Sequence, residues 1–133
     1  MKVKVRALHD VFKICDGLFV QVENENTSYK LFRIAKFCQE ENMWARNRLN
    51  NLLSRFVTIK EDENGEKKPV SASGDNSRYG YEITDLEEFD KLDARRLDYE
   101  IDVPEAITLS LEELAQTDLS VQGTITLKPF IRG

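Results

Sequence analysis

The chain has little of what most catalytic and metal-binding proteins need. Of 133 residues, only two are cysteine, one is histidine and one is tryptophan. A zinc site needs three or four Cys, His or carboxylate ligands at close spacing. Cys15 and Cys38 stand apart, with no CxxC or HxxxH pattern, so no metal is expected. Each cysteine is expected to be a small buried hydrophobe rather than half of a disulfide. A Cys–His nucleophile would have to join His9 to Cys15 or Cys38. His9 and Cys15 are six residues apart, off a single helical face, and Cys38 could meet His9 only through tertiary packing. Long apolar runs are absent too. The longest uncharged apolar stretch, Gly17 to Val22, is far below the ~20 residues of a membrane span. No basic n-region plus apolar h-region opens the chain, so no secretory signal is expected. GxGxxG, P-loop and GxSxG patterns are missing. No catalytic residue and no cofactor are expected.

What is present is charge and helical periodicity. Charged residues make up 32% and hydrophobic residues 41%, enough for a modest core in one domain, residues 1–133. The net charge is −5, which argues against generic binding to a phosphate backbone. The charge is uneven. The first sixty residues hold most of the Lys and Arg, and the acidic excess lies beyond them.

Residues 2–6 alternate, with Val3 and Val5 on one side, and predict a short strand. Leu8, Val11, Phe12, Cys15, Leu18 and Phe19 recur at steps of three and four, predicting a helix over 7–19. A polar turn follows, in which Asn26, Thr27 or Ser28 can cap the next helix. Residues 28–57 contain no Pro or Gly and predict one long helix, with Leu31, Ile34, Cys38, Ala45, Leu49, Leu52 and Phe56 along its apolar stripe. Residues 60–80 predict a mobile loop, with Asn64-Gly65 as a type I′ hairpin turn. Residues 81–84 predict a strand. Asp85 caps a helix through Leu86, Phe89 and Leu92. Tyr99, Ile101 and Val103 predict a strand over 99–103, and Ser110 with Glu113 form a capping box. Residues 124–131 predict a last strand.

The expected fold is therefore α+β: a helical hairpin with one long helix, packed on a small, mostly antiparallel sheet of strands 2–6, 81–84, 99–103 and 124–131. The expected core is Val3, Val5, Leu8, Val11, Phe12, Cys15, Leu31, Ile34, Cys38, Leu49, Leu52, Phe56, Phe89, Ile101, Val103, Leu114 and Leu127.

Three clusters invite chemistry. Lys60 to Ser71 has the outline of a calcium loop, but Lys60 and Ser71 stand where both end ligands must be carboxylates. Asp85, Glu87, Glu88, Asp90 and Asp93 could offer paired carboxylates, although a solvated helix face is their ordinary role. The polar side of the long helix is more informative. Lys30, Arg33, Lys36, Arg46, Arg48 and Arg55 make it basic within an acidic chain. These charges either pair with the acidic second half or form a docking surface for an acidic partner. Trp44 is a core or edge residue by composition, and with Arg46 and Arg48 nearby it also suits an interface hot spot. The residues expected to bind a partner are Arg33, Lys36, Trp44, Arg46 and Arg48.

Read in order, several segments carry a resemblance. They are Ser28 to Phe56 (SYKLFRIAKFCQEENMWARNRLNNLLSRF), the charged Asp62 to Gly65, LEEFDKL (Leu86 to Leu92), EIDVPE (Glu100 to Glu105), LSLEEL (Leu109 to Leu114) and LKPFI (Leu127 to Ile131). In this order the chain resembles small proteins, mostly of unknown function, from tailed bacteriophages and prophages of gut and lactic-acid bacteria. The insert around Ser71–Gly80 departs from the pattern. The resemblance implies a non-enzymatic phage accessory protein that binds a phage structural or host protein, as a virion or assembly component or as an inhibitor of a host system. It implies a location in the host cytoplasm or the phage particle, and it carries over no catalytic residue. Against it stand a small enzyme or ligand-binding domain using His9, Cys38 and the acidic helix, and a low-affinity nucleic-acid binder using the basic helix face. No membrane partner is expected. A long three-four stripe can also pair between copies as a homo-oligomer.

Overall fold

Asn24 decides where the long helix begins. Its side-chain Oδ1 accepts the Thr27 N–H at 3.1 Å and its carbonyl accepts the Ser28 N–H at 2.9 Å. That satisfies donors a helix start leaves free. The cap is therefore upstream of Asn26, Thr27 and Ser28, and the helix gains its first turn there. In the computed structural model, which describes residues 1–133, helix α2 runs from Glu25 to Phe56. At ~1.5 Å per residue it is about 48 Å long.

The fold is α+β, with this one long helix and small antiparallel ladders. The chain divides into two compact units, residues 1–45 with 97–133, and residues 46–96. In the first unit, β1 (Lys2–Lys4) pairs antiparallel with β6 (Glu100–Asp102), and Val3 faces Ile101. Between them in sequence, α1 (Leu8–Leu18) follows a 3-10 turn over Val5–Ala7. Beyond β6 come α4 (Leu111–Leu114) and α5 (Val121–Leu127). Leu8, Val11 and Cys15 of α1 meet Leu31, Ile34 and Cys38 of α2 in a core that Leu109, Leu127 and Phe130 complete. Phe37 sets its ring edge-on to Phe130, centroids 6.0 Å apart.

The second unit holds two hairpins and α3 (Leu86–Asp98), whose last residues belong to the first unit. β2 (Ile59–Glu61) pairs with β3 (Lys67–Pro69), and β4 (Ser77–Arg78) with β5 (Tyr81–Glu82). The β2–β3 turn does sit at Asn64-Gly65, but it is not type I′. Only Gly65 takes a left-handed φ, at +80°. Asp62 organises the turn instead, accepting the N–H groups of Asn64 and Glu66 at 2.9 Å. Val70 donates to Thr58 and Glu82 to Val70, both at 2.9 Å, which links the two hairpins. Leu52, Ile83 and Phe89 form this unit's small core, flanked by Leu49, Phe56, Val57 and Leu92.

The sheet differs from the expected one. Strand 81–82 pairs with 77–78, not with β1 or β6. Residues 124–130 are not a strand, and of the expected one only Ile131 keeps a β-bridge, parallel, to Leu109. Residues 124–130 form most of α5 and a 3-10 turn over Lys128–Phe130. Ser120 caps α5 by accepting the Gly123 N–H at 3.0 Å. The hydroxyls of Thr124 and Thr126 then bond back to the carbonyls of Ser120 and Gln122. Buried Gly123, Leu127 and Phe130 lie four and three apart, which is helical spacing. The threonine alternation imitates a strand, and the capping serine outweighs it.

Of the expected core, Phe12, Leu49, Phe56, Ile101 and Leu114 are only half-buried. Ile83, Ile107, Leu109 and Phe130 are buried in addition. Phe89 is the largest buried side chain of the second unit, closed in by the edges of Phe56 and Tyr79 at 5.8 and 6.2 Å. Phe89→Ala is expected to destabilise that unit by about 3–5 kcal/mol. Urea unfolding followed by hydrogen exchange over residues 46–96 would measure it.

Candidate functional site

The basic side of α2 is the feature to resolve, because the two sequence readings of it differ in where the charges go. Of its six cations, Lys30 alone forms an ion pair. Its Nζ lies 2.8 Å from Glu113 Oε1 and donates to the Thr108 carbonyl at 3.3 Å. Arg33 lies over the Tyr29 ring at 5.8 Å, and Arg55 over Phe56 at 5.4 Å. Arg33, Lys36, Arg46 and Arg48 have no acidic partner in the chain. All four are exposed. Neutralisation by the acidic second half therefore holds for Lys30 and fails for these four.

The exposed part of α2 in the first unit is also aromatic. Tyr29 is 61% exposed and meets Phe32 edge-on at 6.4 Å, while Phe32 stacks on Phe19 at 5.5 Å. A groove of about 440 Å³ runs along Tyr29, Arg33, Lys36 and Glu40, with Pro104 and Ile107 on its far wall. A second groove of about 310 Å³ lies on the other side of Phe32 and Lys36, against Phe12, Phe19 and Gln39. Trp44 is neither core nor free. It is 40% exposed, and its ring lies 5.0 Å from that of Tyr99, which is 54% exposed. The structure thus brings Arg33 and Lys36 to one groove and leaves Trp44 in a separate aromatic pair. Arg46 and Arg48 belong to the second unit.

Tyr29, Phe32 and Glu40 are absent from the expected binding residues. The spacing signal for them exists. Tyr29 precedes Phe32 by three and Arg33 by four, the helical neighbours, but a search for charge alone passes over it.

The remaining candidates do not assemble. His9 is exposed, both cysteines are buried and free, and no hydrogen bond joins them. Burial pushes both thiols upward, Cys38 to about 12 with the Glu41 charge adding to it, so neither is a thiolate near neutral pH. No group of three or more His, Cys, Asp or Glu is placed to hold a metal ion. The acidic helix α3 divides its carboxylates among structural tasks. Asp85 accepts the Glu88 N–H at 3.2 Å, and Asp90 takes both arms of Arg78 at 2.9 Å. Asp93 is 8% exposed, bonded by Arg96 Nε at 2.9 Å and by the Tyr79 hydroxyl. Tyr79 and Gly80 are the two loop residues of the β4–β5 hairpin, at φ +56° and +85°, the positive values a two-residue type I′ turn demands, at a cost of about 1–3 kcal/mol for the non-glycine residue. Burial first, then the bond to Asp93, pushes the Tyr79 hydroxyl above its ordinary pKa.

No family model matches the chain, and neither curated proteins nor solved structures yield a match. No helix is long and apolar enough to cross a membrane.

Glu113 anchors the start of α2 to α4. Its carboxylate receives Lys30, the Ser110 N–H at 3.0 Å and, at 3.6 Å, Arg132. Burial alone would raise its pKa, but the hydrogen bonds from Lys30 and Ser110 outweigh that and hold it below 4.5. A folded-state pKa below the unfolded one stabilises the fold above the unfolded value. That contribution is lost as pH falls through the lower, folded value. Thermal melts from pH 7 to pH 3 are expected to show a falling midpoint below about pH 5. Glu113→Gln should start lower at pH 7 and show a smaller drop.

Proposed function

We propose that this chain is a non-enzymatic phage accessory protein that acts by binding another protein through the exposed side of α2. The observation that carries the reading is the pair of exposed cations Arg33 and Lys36 in the first unit, which form no ion pair and lie beside the exposed rings of Tyr29 and Phe32. Exposed apolar area flanked by cations lacking partners suits association, since such surface gains most from being covered. The phage assignment rests on the resemblance of the ordered segments from Ser28 to Ile131. Two roles fit it, a virion or assembly component and an inhibitor of a host system. Either would keep the protein in the host cytoplasm or in the particle.

A nucleic-acid ligand is the competing reading, because cations beside aromatic rings also suit single strands. Net charge decides against it. At −5, long-range attraction to a polyanion is weak, and Glu40 sits within the groove itself.

A tagged full-length chain, expressed in the host during infection, is expected to retain a phage structural protein or a host protein. Arg33→Glu with Lys36→Glu should reduce that recovery at least about tenfold while the far-ultraviolet circular dichroism stays unchanged. Equal recovery by the variant, or a shift of labelled single-stranded DNA or RNA at physiological salt, would overturn the reading.

A further inference from the structure

Four exposed residues of α2 in the first unit fall on one narrow stripe. Tyr29, Arg33, Glu40 and Trp44 are separated by four, seven and four residues. At about 100° per residue they span about 60° of the helix circumference. The spacing is symmetric about the midpoint between Lys36 and Phe37. Of these four, each half holds one aromatic ring and one charge, and the two charges have opposite sign; Lys36 lies at the midpoint itself.

We infer that this stripe pairs with the same stripe of a second copy of the chain, with the two α2 helices antiparallel about a two-fold axis at Lys36–Phe37. In that register Arg33 lies opposite the second copy's Glu40, and Tyr29 opposite the second copy's Trp44. The two-fold axis repeats each contact, giving two ion pairs and two aromatic pairs. Neither Arg33 nor Glu40 has an ion pair within its own chain, so pairing breaks no existing bridge. Tyr29 is 61% and Trp44 40% exposed, and each gains cover. The groove of about 440 Å³ between this stripe and Pro104 and Ile107 leaves room for the side chains of the arriving helix. A parallel pairing in register would set Arg33 against Arg33 and Glu40 against Glu40, which disfavours it. An acidic segment of a foreign protein would satisfy Arg33 and leave Glu40 facing like charge. The second copy satisfies both.

This inference rests on the reading of α2's exposed side as a protein-binding surface and names its occupant. Sedimentation equilibrium on the full-length chain tests it. The wild type is expected to sediment as a dimer. Arg33→Glu alone places four carboxylates at the seam, and Glu40→Arg alone places four cations there. Each is expected to raise the dimer dissociation constant by about tenfold. An equimolar mixture of the two variants should restore the dimer as a heterodimer, because both contacts between positions 33 and 40 are again between opposite charges. The double variant Arg33→Glu/Glu40→Arg should dimerise with itself. Rescue by the mixture separates a charge-register effect from misfolding, which mixing would not repair. A wild type that stays monomeric at its highest soluble concentration would overturn the dimer. If that monomer still retains another protein, the binding reading survives alone. A dimer untouched by either reversal would overturn the register. A dimer that obeys the swap while capturing nothing else upholds the inference and removes the foreign partner.

Discussion

Helix α2 buries a narrow stripe, and the first unit is arranged to keep water off it. Leu31, Ile34 and Cys38 are wholly buried, as is Ala45. Neighbouring positions such as Arg33, Lys36 and Glu40 are exposed. A stripe that narrow cannot be covered by a large sheet. It is covered by α1 on one flank and by the chain from Ile107 to Phe130 on the other. Polar ties fix the start of the helix in place. Thr27, 1% exposed, donates to Gln116 Oε1 at 2.6 Å, and Lys30 reaches Glu113 and the Thr108 carbonyl. Each buried polar group finds a partner, and no buried side-chain nitrogen or oxygen is left without one.

The same constraint explains the charge distribution. A long helix with few buried positions needs many polar residues to stay in water, and in this chain several of them are cations. Of the acids beyond residue 60, only Glu113 reaches one of them, Lys30. Asp98 serves Arg6, Asp90 serves Arg78, and Asp93 serves Arg96 and Tyr79. These carboxylates are consumed in holding the start of the chain, the β4–β5 hairpin and α3. Apart from Lys30, the cations of α2 are left to solvent or to another molecule, and that is why the exposed side of α2 is the place where binding is proposed.

Much of the helical framework is legible in the sequence. Thirty residues without Pro or Gly and a three-four repeat can form little else but a long helix, and Ser110 with Glu113 announces its capping box. The pairing of β1 with β6 follows from Val3 and Ile101 needing a common dry face. The end of the chain is harder to read. Thr124, Thr126 and Lys128 alternate as in a strand, yet the same residues fit a helix once Ser120 caps it and the threonines bond backwards. At the candidate site, Arg33 and Lys36 are readable as charge. Tyr29, Phe32 and Glu40 are not singled out, because only the packing of Pro104 and Ile107 beside them turns a helix face into a groove.

By itself the sequence determines that this is an α+β protein built on one long amphipathic helix with a basic outer side, because periodicity and capping are local properties. Tertiary structure alone decides which charges are free and which aromatics are exposed. Pairing and burial depend on what arrives from distant parts of the chain. Glu113 comes to Lys30 from 83 residues away and Asp98 to Arg6 from 92, while nothing comes to Arg33 or Lys36. Net charge of −5 describes the total. The fold decides that Lys30 and Arg6 receive distant carboxylates while Arg33 and Lys36, on the aromatic face of α2, receive none.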